Sequence, residues 1–374
     1  MEVKAPTRLL SLDVFRGITI AGMILVNNPG TWNAIYPPLE HASWHGCTPT
    51  DLVFPFFLFI VGVAITYALT KKKEAGENQT KLILGISRRA GMLIFLGLFM
   101  AAYPKFDLGV LRFPGVLQRI GLVYLITSIL FLKISIKHMA YVGGALLLIY
   151  WFLMSFIPVP GVGYPNLEKG TNLAAWFDRI FLSGHMWAFS KIWDPEGLLS
   201  TMPAISTAIL GILTGNWLRN KKVDEGTKIA TLFTYGCIIM LAGYIWSGWF
   251  PINKSLWTSS YVLYTGGLAM LFLASCYWLI DVKGIKWWTK PFVVYGMNAI
   301  TVFFLSGLVA KSMGLYTWMT PDGIEISLKG YLFESMFLSW LDPINASLAW
   351  ALTYITLWLG LMWILYAKKI FIKV

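Results

Sequence analysis

Charge is what this sequence has least of. Asp, Glu, Lys and Arg together make up 13% of its 374 residues, where a soluble domain carries about a quarter. With 57% hydrophobic residues and a mean hydropathy of +0.65, that shortage excludes an ordinary soluble fold. Cysteine is scarce too. Cys47, Cys237 and Cys276 are too few and too scattered for a disulfide framework. Cys237 and Cys276 lie inside apolar runs, where a thiol behaves as a small buried hydrophobe. The ten-residue alternating segments of an outer-membrane barrel are missing. No small-x-small cleavage site follows the first apolar run, and Asp13 and Arg16 interrupt it, so it is read as an uncleaved membrane helix. No linker, soluble insert or internal repeat breaks the pattern, which gives a single membrane domain over 1–374.

What is present is a series of apolar runs near 20 residues. Ten candidate spans fall at 10–28, 51–70, 85–103, 115–132, 139–157, 199–218, 229–248, 256–280, 291–312 and 346–367. Each is long enough to cross a hydrocarbon core of about 30 Å at a rise of about 1.5 Å per residue. The expectation is an all-α integral membrane protein of about ten transmembrane helices. Its net charge of +12 is explained by topology, because Lys and Arg gather in alternate loops. Lys4 and Arg8, Lys71 to Lys73 with Lys81, Arg88 and Arg89, Lys133 and Lys137, the 219–228 and 283–290 clusters, and Lys368, Lys369 and Lys373 fall on one side. This positive-inside bias places both termini in the cytoplasm and sets nucleic-acid binding aside. Residues 29–50 contain no Lys or Arg, so that loop faces outward. Two further outer segments, 158–198 and 313–345, are long enough to be lids or binding loops. Their Trp176, Trp187 and Trp193 suit a short helix at the membrane interface equally well.

A charge or amide inside a span needs a partner and marks a candidate site. Asp13 and Arg16, three apart, share a helix face. They form either a local ion pair near the cytoplasmic interface or an Arg16 that meets an anionic ligand entering from the cytoplasm. Gln118 and Arg119 lie early in the fourth span, where snorkelling competes with a role in a site. Asn27, at the end of the first span, either closes its helix or donates to an oxyanion. Asp194-Pro195-Glu196-Gly197 reads as a helix start with acids facing the dipole. Asn298 sits in an apolar run, where interhelical hydrogen bonding is the default.

Residues 27–55 concentrate the polar chemistry, with Asn27-Asn28, Glu40-His41-Ala42-Ser43-Trp44-His45-Gly46-Cys47 and Asp51 between two apolar runs. His41 and His45 are four apart, a zinc-site spacing on a helix, and Glu40, Cys47 and Asp51 could add ligands. Pro37-Pro38, Gly46 and Pro49 argue against a helix there, and no HExxH occurs, so no metal is assigned. A histidine acting as general base, its ring held by a carboxylate such as Asp51, is the competing reading. A hydrogen-bonded loop histidine is the bland one.

Several blocks together resemble one family. These are Leu10-Ser11-Leu12-Asp13-Val14-Phe15-Arg16-Gly17 with Val26-Asn27, His41-Ala42-Ser43-Trp44-x-Gly46, Asp51-Leu52-Val53-Phe54-Pro55 and Pro114-Gly115-Val116-Leu117-Gln118-Arg119. To them add Asp194-Pro195-Glu196-Gly197, Asn253-Lys254-x-Leu256-Trp257 and Gly296-Met297-Asn298. The set resembles the heparan-α-glucosaminide N-acetyltransferases and covers nearly the whole membrane region. The resemblance implies a bacterial-type member without the luminal N-terminal region and extra helix of the animal enzymes. It implies transfer of the acetyl group of cytoplasmic acetyl-CoA to a terminal glucosamine outside, with His41 and Asn27 as catalytic residues. On chemical grounds His41 would take the proton from the attacking amine, Asn27 would donate to the tetrahedral oxyanion and Asp51 would orient His41. Arg16, Arg88, Arg89, Gln118, Arg119 and Asn298 are assigned to the acetyl-CoA co-substrate, and Trp44, Asp194, Glu196 and Asn253 to the acceptor sugar. The expected partners are acetyl-CoA, an amino sugar or glycosaminoglycan fragment, and membrane lipid, with a homodimer as an open alternative to a monomer. The expected place is a bacterial inner membrane with the His41 loop on the periplasmic side. An O-acyltransferase of a surface or periplasmic polysaccharide and a sugar transporter are the rival readings.

Overall fold

The computed structural model describes residues 9–323 and 325–372. Lys4, Arg8 and Lys373, counted above among the cytoplasmic charges, lie outside the described residues. The chain forms α1 (Leu10–Asn27), a 3-10 turn (Pro37–Leu39), α2 (Pro49–Glu74), α3 (Gln79–Ala102), α4 (Val116–Lys133), α5 (Ile136–Phe156) and α6 (Leu173–Leu182). It continues through α7 (Thr201–Leu218), α8 (Glu225–Trp246) and α9 (Ser259–Cys276), which runs on as a π-helical turn (Tyr277–Val282). Then come α10 (Lys290–Met297), α11 (Ala299–Leu315), a two-stranded ribbon of β1 (Thr317–Met319) and β2 (Glu325–Ser327), α12 (Leu328–Phe333) and α13 (Pro343–Ala367). Many helices start where a short polar side chain caps them. The side chains of Asn78, Ser135, Asn172, Asp224, Ser327 and Asp342 each accept a backbone N–H from the first turn, each such cap stabilising its helix by about 1 kcal/mol.

Eight of the described helices are long and apolar enough to cross a membrane, and nine if the bent pair α10–α11 is one span. The expected count of ten differs from this at two places, and both have a physical cause. The predicted span at 199–218 is the helix α7, but its Thr, Ser, Gly and Asn residues dilute its hydropathy, and most of its side chains are buried. The predicted span at 291–312 is broken at Asn298, where α10 and α11 meet at 81°.

The chain divides into two compact units. Of the described residues, the first comprises 9–41, 48–54 and the chain from 275 to 372. Within it α1 lies on α10 at backbone contact. A Cβ on Gly17 would stand 1.8 Å from the Phe292 carbonyl oxygen, so only glycine permits this approach. The start of α1 is closed by Asp281, whose carboxylate accepts the N–H groups of Leu10 (3.3 Å) and Ser11 (3.0 Å), a negative charge at the positive end of a helix. Phe333, Phe337, Ala346 and Trp350 form a small core under the 313–345 segment. The second unit comprises residues 42–47 and the chain from Pro55 to Ala274. There α3 packs on α4, and α7 on α4 and α5. One of its cores gathers Tyr150, Met154, Phe250 and Leu256, with Trp44 and Trp246 against them. Buried hydroxyls are satisfied by carbonyls: Tyr150 donates to Leu256 O (2.6 Å) and Ser259 to Leu147 O (2.7 Å), as a water-poor interior requires.

Candidate active site

The first unit resolves the asparagine pair. Asn28 is 8% exposed and its amide donates to Ile24 O at 2.8 Å, so it closes the end of α1. Asn27 is exposed, and its side chain makes no hydrogen bond among the described residues. The strap that follows is fixed by α12 and α13. Gly30 N–H donates to Ser347 O (3.3 Å), Thr31 N–H to Ser347 Oγ (3.2 Å), Lys329 Nζ to Pro29 O (2.8 Å) and Tyr36 Oη to Asn345 Oδ1 (2.6 Å). A Cβ on Gly30 would meet the Phe333 ring at 2.3 Å, so the strap lies flat on α12. Burial lowers the pKa of Lys329, because desolvation disfavours the charged ammonium.

The strap ends in the histidine, and α2 begins with its partner. Asp51 caps the start of α2: its Oδ2 accepts the Thr48 N–H (3.0 Å) and its own N–H donates to Thr48 O (3.0 Å), while Thr48 Oγ1 donates to Glu40 O at 2.6 Å. This leaves Asp51 Oδ1 for His41 Nδ1, 2.7 Å away. The Asp51 side chain is 1% exposed and that of His41 47%. A carboxylate only accepts, so it holds the proton on Nδ1 and leaves the lone pair on Nε2. An exposed imidazole with a basic Nε2 and a buried carboxylate behind it is equipped to receive a proton.

Among the other predicted residues of this unit, Arg16 lies 3.5 Å from Asp13 and donates to Gly296 O (3.2 Å). Asn298 pairs with the C-terminal segment, donating to Ile370 O (3.1 Å) and accepting Ile372 N–H (2.9 Å). The second unit holds the rest. Trp44 donates to Leu167 O (2.9 Å) and meets Trp193 edge-on at 5.2 Å. Asn253 is fully buried, with Nδ2 3.3 Å from His45 Nδ1. Arg88 and Arg89 are exposed on α3, and Arg89 stands 5.2 Å above the Tyr124 ring. The Gln118 amide lies where a Cβ on Gly97 or Gly115 would be. Arg119 is buried, donates to Gly197 O (3.0 Å) and Ser200 Oγ (2.5 Å), and lies on the Trp257 ring. Among the described residues no group of three or more His, Cys, Asp or Glu side chains comes together as a metal site.

Sequence reading missed Arg112, which counted only as an outer-side charge. It grips Asp194 through Nε (2.8 Å) and Nη2 (2.6 Å), and Glu196 through Nη2 (2.5 Å). Burial opposes its charge, but the two carboxylates outweigh that and raise its pKa. Asp178, beside the same turn, is pushed up to about 6 by burial against the pull of the Leu198 N–H. A separation of 82 residues leaves no sequence signal for the Arg112 pairing. Replacing Arg112 by methionine strands two carboxylates that are almost fully buried, and is expected to cost about 3–5 kcal/mol of stability. Thermal unfolding in detergent checks it; a midpoint unmoved from wild type would show the cluster to be solvated.

Membrane-length apolar helices define a multi-pass membrane protein, and a carboxylate-held imidazole stands beside the start of one of them. Residues 8–148 match a domain family described only as a domain of unknown function, DUF5009. Over 99% of its length the chain is 31% identical to the heparan-alpha-glucosaminide N-acetyltransferase of Homo sapiens, and over 98% it is 30% identical to that of Mus musculus. It spans 60% of the length of each. Over nearly all of its own length the chain is thus similar to the heparan-alpha-glucosaminide N-acetyltransferases.

Proposed function

We propose that the protein is a membrane N-acetyltransferase that moves the acetyl group of cytoplasmic acetyl-CoA to the amine of a glucosamine on the periplasmic side of a bacterial inner membrane. The observation that carries this is the 2.7 Å contact of His41 Nδ1 with the buried Asp51 carboxylate. Glucosamine is largely an ammonium at neutral pH, and only its free amine attacks a thioester. His41 Nε2 takes the amine proton as the N–C bond forms, Asn27 Nδ2 donates to the oxyanion, and the C–S bond then breaks. The departing thiolate of CoA takes the proton that His41 received, so the histidine is restored at each turnover. Direct transfer needs no acyl-enzyme.

Arg16, Arg88 and Arg89 are assigned to the phosphates of CoA, since guanidinium forks match phosphate oxygens. Gln118 is assigned to the same co-substrate. Arg119 and Asn298 already donate to backbone carbonyls, and are assigned to shaping the donor side. Trp44 is assigned to the acceptor, its indole face stacking on a pyranose ring, and Asp194 and Glu196, both held by Arg112, with the buried Asn253, are assigned to shaping the acceptor side. That the human and mouse relatives are heparan-alpha-glucosaminide N-acetyltransferases supports a glucosamine acceptor at the end of a heparan-type chain.

Purified protein in detergent, given labelled acetyl-CoA and glucosamine, is expected to yield N-acetylglucosamine, a reaction closed to a transporter. Acetylation of N-acetylglucosamine at the rate of glucosamine would replace this reading with O-acylation, and no acetylation of either sugar would end it.

A further inference from the structure

We propose that His45 is a fixed hydrogen-bond donor that reads an oxygen of the acceptor sugar through Nε2–H, with Asn253 as its positioning residue. The inference rests on the acetyl-acceptor reading above and adds to it a specificity-determining residue.

It starts from Asn253, which is fully buried. Its Oδ1 accepts the Leu256 N–H at 2.9 Å, and that bond fixes which way the amide faces. Turned over, the side chain would press an NH2 group against an N–H. The Nδ2 therefore points to His45 Nδ1, 3.3 Å away. An amide nitrogen donates and does not accept, so His45 Nδ1 keeps its lone pair and the ring proton sits on Nε2. Backbone holds the two residues in register: Gly46 N–H donates to Ile252 O at 2.8 Å, and Gly46 and Asn253 form a parallel bridge. His45 has its affinity for a second proton lowered by burial, with the Glu168 carboxylate pulling the other way.

The two histidines are thus held in opposite tautomers. His41 faces an acceptor and keeps its lone pair on Nε2. His45, four residues on, faces a donor and keeps its proton there. One is built to take a proton and the other to share one.

What surrounds His45 fits a hydroxylated ring. Its imidazole is exposed, and Trp44 precedes it with Trp193 against the indole edge. Glu168 is exposed and is held on a turn in which its N–H donates to Asn166 Oδ1 (3.1 Å) and its carbonyl accepts from Asn172 (2.7 Å). Lys169 lies 5.5 Å above the Trp44 ring. A donor, an acceptor and two indoles on one stretch of the second unit are the groups that discriminate one sugar hydroxyl from its absence.

The test uses the full chain in detergent with glucosamine and its singly deoxygenated analogues. In wild type, one analogue is expected to bind about tenfold more weakly than glucosamine, the size of one neutral hydrogen bond. In His45→Phe that penalty disappears while the KM for acetyl-CoA stays unchanged, and His45→Gln, which keeps an N–H, restores it. Imidazole 15N spectra, assigned with the same variants, are expected to show His45 protonated at Nε2 and bare at Nδ1, and Asn253→Asp to reverse that pattern. A deoxy penalty that survives in His45→Phe, or a wild-type His45 protonated at Nδ1, overturns the proposal. If wild type acetylates no glucosamine, the enzymatic reading falls by itself. Sugar binding without acetyl-CoA, followed by Trp44 and Trp193 fluorescence with the same analogues, then decides the role of His45 separately.

Discussion

Alanine in place of His41 is expected to lower kcat for acetyl transfer to glucosamine by about 10²–10⁴-fold, the usual worth of a positioned general base. The KM for acetyl-CoA is expected to stay near its wild-type value, because the imidazole acts on the amine and not on the nucleotide. Asp51→Asn should fall in the same range for a different reason. The ring is then no longer held by a carboxylate, and an asparagine that turns its NH2 toward Nδ1 forces the proton onto Nε2, the atom that must be bare. His41→Ala also takes the imidazole from the buried Asp51 Oδ1 while Thr48 still donates to Oδ2, so its thermal midpoint should fall modestly with the fold retained. Rapid mixing of labelled acetyl-CoA with each variant and glucosamine gives the rate, and equilibrium binding of CoA gives the other quantity. A His41→Ala enzyme that keeps a third or more of wild-type kcat would remove this histidine from the chemistry.

His41 and Asp51 are ten residues apart, and a loop that short leaves a carboxylate few places to go, so their pairing was legible in the chain. The spans were legible for the same reason: apolar runs of membrane length have few other uses. Legibility ended where side chains from distant segments decide. Arg112 and Asp194 are separated by 82 residues, and His45 and Asn253 by 208; nothing local in either pair says what it faces. The break at Asn298 was half visible, since Gly296-Met297-Asn298 is a weak place in a helix. What the sequence could not say is that the Asn298 side chain pairs with the backbone of Ile370 and Ile372, 72 and 74 residues further on. The α7 helix was counted as a span because 199–218 is an apolar run of membrane length, and what the sequence did not show is where its hydroxyls go, such as Ser206 donating to Gly143 O at 2.9 Å.

Two neighbouring asparagines should separate catalysis from stability in opposite senses. Asn27→Ala removes an exposed amide that bonds nothing among the described residues. On the reading that this amide meets the oxyanion, kcat falls by about 10²–10³-fold, while stability stays within about 0.5 kcal/mol of wild type. Asn28→Ala removes a buried donor from the Ile24 carbonyl (2.8 Å). Water does not readily replace it there, so stability falls by about 1–3 kcal/mol and kcat falls only as far as the strap behind α1 loosens. The strap keeps its own bonds, Gly30 and Thr31 to Ser347 and Pro29 to Lys329, none of which involves Asn28. The crossed pattern is the discriminating result, read from kcat and thermal midpoint on the same two proteins. If Asn28→Ala were the slow enzyme and Asn27→Ala the unstable one, the oxyanion donor would be the wrong residue of the pair. If both variants turned over normally, the oxyanion would be stabilised by a group other than this amide, and the proton-transfer half of the mechanism would stand alone.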